Sequence, residues 1–151
     1  MATARLDRVA LVVSDVAEVA ADLKAIFDMD ITIVEAENLG IRAGLGNDGI
    51  ELVDKMGDTS PLEKLWRPPL AALVVRCDDI DATTAKMEAA GFVVDHRVTT
   101  KAGLKEVSFG NSFHGIPLSL YESSEEDIME AVVGEGSLDE YAPDVDWGTE
   151  G

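Results

Sequence analysis

Four charged side chains interrupt segments that are otherwise apolar and β-patterned: Arg8 in RVALVV, Arg42 in GIRAGLG, Glu51 in IELVD and Glu106 in LKEVSFG. A guanidinium is always charged and presents a planar fork of N–H donors. That suits a carboxylate, a phosphate or an enolate-like oxygen. A carboxylate placed beside a carbonyl compound can act as a general base. Together these residue types point to binding, and possible proton transfer, on a small oxygen-bearing molecule. The sequence has no glycine-rich phosphate loop, no nucleophile elbow and no paired-cysteine motif.

Composition narrows the partners. Thirty Asp and Glu face twelve Lys and Arg, for a net charge of −18. Nucleic-acid binding needs a basic footprint, and an anionic membrane surface needs the same, so neither partner is expected. No apolar run approaches the ~20 residues that span a bilayer. No apolar stretch precedes the first strand, which argues against a signal peptide. The lone Cys77 cannot form an internal disulfide and reads as a small buried hydrophobe in a reducing, cytoplasmic setting.

The elements that carry these residues come in two sets. RVALVV (8–13) reads as a strand, SDVAEVAADLKAIFDM as an amphipathic helix capped by Ser14 or Asp15, and ITIVEAE, GIRAGLG and IELVD as three further strands. The NDG sequence at 47–49 signals a hairpin turn. The order then repeats. AALVVRC (71–77) is a strand and residues 79–91 form a helix stopped by Gly91. FVVDHRV, LKEVSFG and IPLSLYE are three strands. The chain thus divides into a first βαβββ module (5–54), a linker with one short helical turn (55–70), a second module (71–122) and an acidic tail with a short helix (123–151). One module is too small to bury both faces of its sheet. Two side by side give an α+β fold in which a curved eight-stranded sheet forms a cup with its helices outside. RAGLGN (42–47) aligns with EVSFGN (106–111) between the copies.

The stretches LDRVALVVSDV, GIELVD, LVVRCDDID and IPLSLYE make residues 6–122 resemble the vicinal oxygen chelate superfamily. That superfamily includes lactoylglutathione lyase, methylmalonyl-CoA epimerase, extradiol dioxygenases and bleomycin resistance proteins. The resemblance implies a homodimer with a ligand in each cup. It also implies four metal-ligand positions, which fall here on Arg8, Glu51, Ala72 and Ser119. Arginine and alanine offer no lone pair and a serine hydroxyl is a weak ligand, so no metal or other cofactor is expected.

With Arg8 and Glu51 at those positions, strand alternation adds neighbours to the cup wall. The NDG hairpin is expected to pair even residues of 40–46 with odd residues of 50–54, which puts Arg42, Gly44 and Gly46 on the face of Glu51. The internal alignment then puts Glu106, Ser108 and Gly110 on the opposite wall, with Pro117, Ser119 and Tyr121 on the last strand. In this reading Glu51, Arg8 and Glu106 carry the chemistry, while Arg42, Gly44, Gly46, Ser108, Ser119 and Tyr121 bind the substrate. Arg8 takes the electrostatic part of the metal. The function expected is a metal-independent isomerase, epimerase or lyase. The alternatives are a non-catalytic binding or sequestering protein, or an Arg8–Glu51 ion pair that simply fills the centre. His96 and His114 match no ligand position and are expected at the surface or a sheet edge.

Overall fold

The computed structural model describes residues 4–99 and 104–122. The acidic tail expected from 123 onward, with its short helix, lies outside them. Eight strands form one curled mixed sheet: β1 (Ala4–Val12), β2 (Thr32–Ala36), β3 (Ile41–Leu45), β4 (Ile50–Lys55), β5 (Leu70–Cys77), β6 (His96–Thr99), β7 (Lys105–Ser108) and β8 (Leu118–Glu122). The helices are α1 (Val16–Phe27) and α2 (Ile80–Ala89). The strand order is β2-β3-β4-β1-β5-β8-β7-β6. β1 pairs with β4 and β5 with β8 in parallel, and β1 meets β5 antiparallel where the two halves join. The segment between halves carries a single 3-10 turn at Glu63–Leu65.

Each helix begins where the sequence supplies an aspartate cap. Asp15 accepts from the Glu18 N–H at 3.1 Å, and Asp79 from the Ala82 N–H at 3.0 Å. A second acidic group from the last strand of the same half reinforces each start. Asp54 accepts from the Val16 N–H at 2.8 Å and Glu122 from the Ile80 N–H at 2.8 Å. The helices cover one sheet face: Val16 and Ala20 pack on Leu52, and Ile80 packs with Cys77, Val107, Phe109 and Leu120. The other face is lined by a separate cluster that includes Ala10, Ile41, Ala43, Val53, Trp66, Val74 and Tyr121.

The β3–β4 hairpin departs from the expected register. Arg42 lies opposite Asp54, Ala43 opposite Val53 and Gly44 opposite Leu52. Continued to the turn, this register leaves Asn47, Asp48 and Gly49 as three loop residues. Gly49 has φ 84°, the left-handed conformation that closes three-residue hairpins. One extra loop residue inverts the parity of the pairing. Ile41, Ala43 and Leu45 therefore share the cup face with Val53, while Arg42, Gly44 and Gly46 turn toward the helix side.

The glycines of β3 are small for a different reason from the one expected. A Cβ on Gly46 would sit 2.5 Å from the Asp30 carbonyl oxygen, and one on Gly44 2.8 Å from Ile31 Cγ2. They admit the chain approaching β2, not a ligand. Gly46→Ala is expected to destabilise the fold by about 1–3 kcal/mol through overpacking. Gly57→Ala, where a Cβ meets nothing within 4 Å, serves as the neutral control. Urea unfolding of the two variants checks this.

Candidate functional site

The cup holds a cavity of about 120 Å³. For scale, an engineered cavity of about 150 Å³ admits benzene, so this space suits a small acyl or carbonyl group. Leu39, Ile41, Leu45, Leu62 and Trp66 give it apolar surface, and Arg8, Glu51, His96, Glu106, Ser108 and Ser119 bring polar groups to the same lining.

β1 and β4 place Arg8 and Glu51 side by side. Arg8 is only 7% exposed, and its Nε donates to Glu51 Oε1 at 2.6 Å while Nη1 donates to Asp7 Oδ2 at 2.7 Å. Burial alone would lower the Arg8 pKa. Glu51, Glu106 and Asp7 outweigh it and hold the guanidinium firmly charged. Tyr121 lies under it, with the Arg8 Cζ 5.1 Å and the Arg76 Cζ 5.3 Å from the ring centroid. Tyr121 thus belongs to the packing under the site, on the face expected for it.

Glu106, Ser108, Gly110, Pro117 and Ser119 line the cavity as anticipated. The internal alignment that led to the first three does not hold for side-chain direction, because their supposed counterparts Arg42, Gly44 and Gly46 face away. Arg42 instead makes a two-pronged bond to Asp54, Nε to Oδ1 at 3.0 Å and Nη2 to Oδ2 at 2.6 Å. Burial pushes the Asp54 carboxyl up, but Arg42 and the Val16 N–H outweigh it and leave its pKa below the usual value. Its stabilising effect is therefore present above the unfolded carboxyl value and lost as the pH falls through the folded one. Asp54→Ala is expected to cost about 1–2 kcal/mol as a lost helix-start acceptor, measured by urea unfolding at pH 7, with the deficit shrinking in acid.

The Glu106 carboxyl is half-buried and its pKa is pushed up to about 7. Desolvation is the main cause. Arg8 pulls the other way, Glu51 adds to the rise and the Ser119 hydroxyl lowers it. The two glutamates are thus distinct: Glu51 is tied to a cation, and Glu106 is poised to gain or lose a proton near neutrality.

His96 lies on the edge strand β6, one of the two places expected for it, but not at the surface. It is 6% exposed, lines the cavity, and its Nδ1 lies 2.8 Å from Asp95 Oδ2. Burial lowers its pKa below the usual histidine value, with Asp95 opposing. The expectation rested on His96 matching no ligand position, and the ladder of this segment starts only at His96. Phe92 and Val94 pack toward α2, and the irregular chain at Asp95 turns His96 to the other face. His114 is exposed in its turn, as expected.

Comparison with known proteins places this geometry. No family model matches the chain, and no curated protein matches it by sequence. Solved structures do. A methylmalonyl-CoA epimerase variant of Streptomyces coelicolor, in complex with 2-nitronate-propionyl-CoA, superimposes with a TM-score of 0.66 at 16% identity, over 82% of this chain and 96% of its own. Methylmalonyl-CoA epimerase of Mycobacterium tuberculosis gives 0.64 at 20% identity, over 80% and 89%. A hypothetical protein of Bacillus halodurans C-125 gives 0.67 at 16%, over 82% and 97%. This is the vicinal oxygen chelate fold.

The vicinal oxygen chelate fold implies a divalent ion held by four strands, and the side chains at those positions can be tested against it. Arg8, Glu51, Ala72 and Ser119 all line the cavity. Arg8 offers no lone pair and occupies Glu51 Oε1, Ala72 offers no donor atom, and Ser119 is a neutral hydroxyl beside Glu106. Among the described residues no three His, Cys, Asp or Glu side chains come together as a metal site. These residues do not fit the ion.

Proposed function

We propose that the cup binds a small carbonyl compound, in the manner of an acyl thioester, and moves a proton at the carbon beside the carbonyl without a metal. The observation that carries this reading is Glu106: a half-buried carboxyl facing the cavity with its pKa near 7, beside a fixed cation. At that value the group serves as base when ionised and as acid when protonated. Arg8 supplies the fixed positive charge toward which the oxygen of an enolate would develop. Glu51 holds Arg8 in place, and Ser108 and Ser119 offer hydroxyls to the ligand. The fold neighbours named for methylmalonyl-CoA epimerase support an isomerase or epimerase over a lyase. The apolar wall of Leu39, Ile41, Leu45 and Trp66 favours the second reading, a protein that binds without catalysis.

Proton NMR in D2O separates them. With methylmalonyl-CoA and lactoylglutathione as probes, an enzyme of this kind incorporates deuterium beside the carbonyl faster than the protein-free control. Binding by calorimetry with no incorporation supports the sequestering protein. Among the described residues no helix is long and apolar enough to cross a membrane. Ile26 and Phe27 at the end of α1 are 69% and 62% exposed, apolar surface that a second copy would cover. Light scattering is expected to give twice the 16.1 kDa chain mass.

A further inference from the structure

β1 does not run evenly alongside β5. Leu6 lies opposite Val75 and Arg8 opposite Val74, so Asp7 is the extra residue of a β-bulge. Val74 lines the cavity, whereas Val75 packs on the helix side. The bulge thus brings Arg8 to the cup face although Leu6, two residues earlier, shares the face of Val75. In an unbroken strand adjacent side chains point to opposite faces, and Asp7 would be turned away from Arg8. Here its Oδ2 accepts from Arg8 Nη1 at 2.7 Å, and Arg76 Nη1 stands 4.0 Å from its other oxygen. Glu51 accepts from Arg8 Nε at 2.6 Å. Among the described residues these two carboxylates are the ion-pair partners of Arg8. Glu106, in the same cavity lining, acts on the guanidinium only through space.

We propose that Asp7, re-aimed by this bulge, is a positioning residue: it pins the Arg8 guanidinium against Glu51 and so keeps it from pairing with Glu106. This rests on the proton-transfer reading above and deepens it, because it names what leaves Glu106 without a bonded cation. A guanidinium carries five N–H donors, and a buried one is stable only when carboxylates satisfy them. With Nε tied to Glu51 and Nη1 to Asp7, the group cannot turn about its last bond without breaking one of the two. Tyr121 lies under its plane, 5.1 Å from Cζ. Released at Nη1, the same group would turn to the remaining carboxyl of the cup. A cation bonded to Glu106 would hold it ionised through the neutral range and end its use as both acid and base. The groups that act on Glu106 are Arg8 from β1, Glu51 from β4 and Ser119 from β8. Tyr121 lies directly opposite it on β8, and His96 of β6 lies opposite Ser108. Asp7 has no direct effect on Glu106. Any change that Asp7 makes there passes through Arg8.

Titration of the Glu106 carboxyl by 13C NMR tests this in two variants. Asp7→Ala removes the acceptor of Nη1, and the Glu106 midpoint is expected to fall by about 1–3 on the pH scale. Asp7→Asn keeps an oxygen for Nη1 and is expected to hold the midpoint near that of the parent. An unchanged midpoint in Asp7→Ala overturns the positioning role. So does an equal fall in both variants, which would mean that Asp7 acts by its charge and not by holding Arg8. If Asp7→Ala does not fold, the parent protein still decides. Tied at Nε and Nη1, the Arg8 guanidinium is expected to give separate 15Nη signals that keep their pattern as Glu106 ionises, assigned by their loss in Arg8→Lys. Merged signals, or a pattern that rearranges as the pH passes about 7, overturn the proposal. In the deuterium assay with methylmalonyl-CoA, the pH of half-maximal exchange is expected to fall in Asp7→Ala together with the Glu106 midpoint. If the parent exchanges deuterium and neither quantity moves in Asp7→Ala, the positioning role is wrong and the proton-transfer reading stands. If the parent exchanges nothing with either probe, that reading falls, while the titration still decides the role of Asp7.

Discussion

Glu106→Gln is expected to stabilise the protein above pH 7 and to abolish its proton transfer. The folded chain keeps a proton on Glu106 up to about pH 7, mainly because burial disfavours the charged carboxylate. In the unfolded chain the same group lets go near its ordinary value, about 4.5. Between those two values the native state binds the extra proton, so stability falls as the pH rises. The effect is complete below the unfolded value and lost as the pH passes the folded one, a change on the order of 3 kcal/mol. Glutamine carries no charge at any pH. The variant should therefore match the parent only below about pH 4, gain on it from pH 5 through 7, and hold a constant advantage above. Urea unfolding at four pH values reads this difference directly, because other titrating groups cancel between parent and variant. The same substitution should cost at least ~100-fold in deuterium exchange, the usual scale of a lost acid–base group. A difference in stability that does not change between pH 5 and 8 contradicts the assignment.

Arg8→Met should be the most damaging single change in the cup. It leaves Glu51, 16% exposed, without its cation, and removes the guanidinium that lies over Tyr121. Breaking a buried pair by deleting one partner costs roughly 3–5 kcal/mol, because the surviving charge stays desolvated. Adding Glu51→Leu should restore much of that loss, since a well-packed apolar pair has no charge to strand. Denaturation of the two singles and the double variant closes the cycle. If Arg8→Met costs less than about 1 kcal/mol and Glu51→Leu restores nothing, the pair is not the buried anchor described here.

The arrangement of strands and helices was legible because local signals agreed with the global fold. The cap signal at Ser14 or Asp15, the apolar spacing of α1 and the strand runs all named elements that formed within a few residues of their expected bounds. Arg8 and Glu51 could be placed together from the resemblance and from parity within their own strands. The side chains that went astray did so at single-residue details. One extra residue in the Asn47–Gly49 turn moved Arg42, Gly44 and Gly46 to the helix side. The repeat of RAGLGN in EVSFGN preserves residue types while its side chains point to opposite faces, so similarity between the copies is no guide to direction there. His96 was passed over because it matches no ligand position, and the irregular chain up to Asp95, not yet in the sheet, gives its direction no strand parity to read. Nothing local marks that irregularity. The signal that could have found it is the Asp-His dipeptide itself, a carboxylate placed to hold an imidazole. The pKa of Glu106 was beyond sequence reading altogether, since it arises from burial and from Arg8 and Glu51 on two other strands.

The claim on which the rest depends is that Glu106 exchanges its proton near neutrality inside the cup. Carboxyl 13C NMR on glutamate-labelled protein, with the signal assigned by its loss in Glu106→Gln, measures that directly. The structure predicts a midpoint near 7. A midpoint at the ordinary glutamate value, near 4.5, would mean that Glu106 is a solvated, permanently charged side chain, and the proposed proton chemistry of the cup would fall with it.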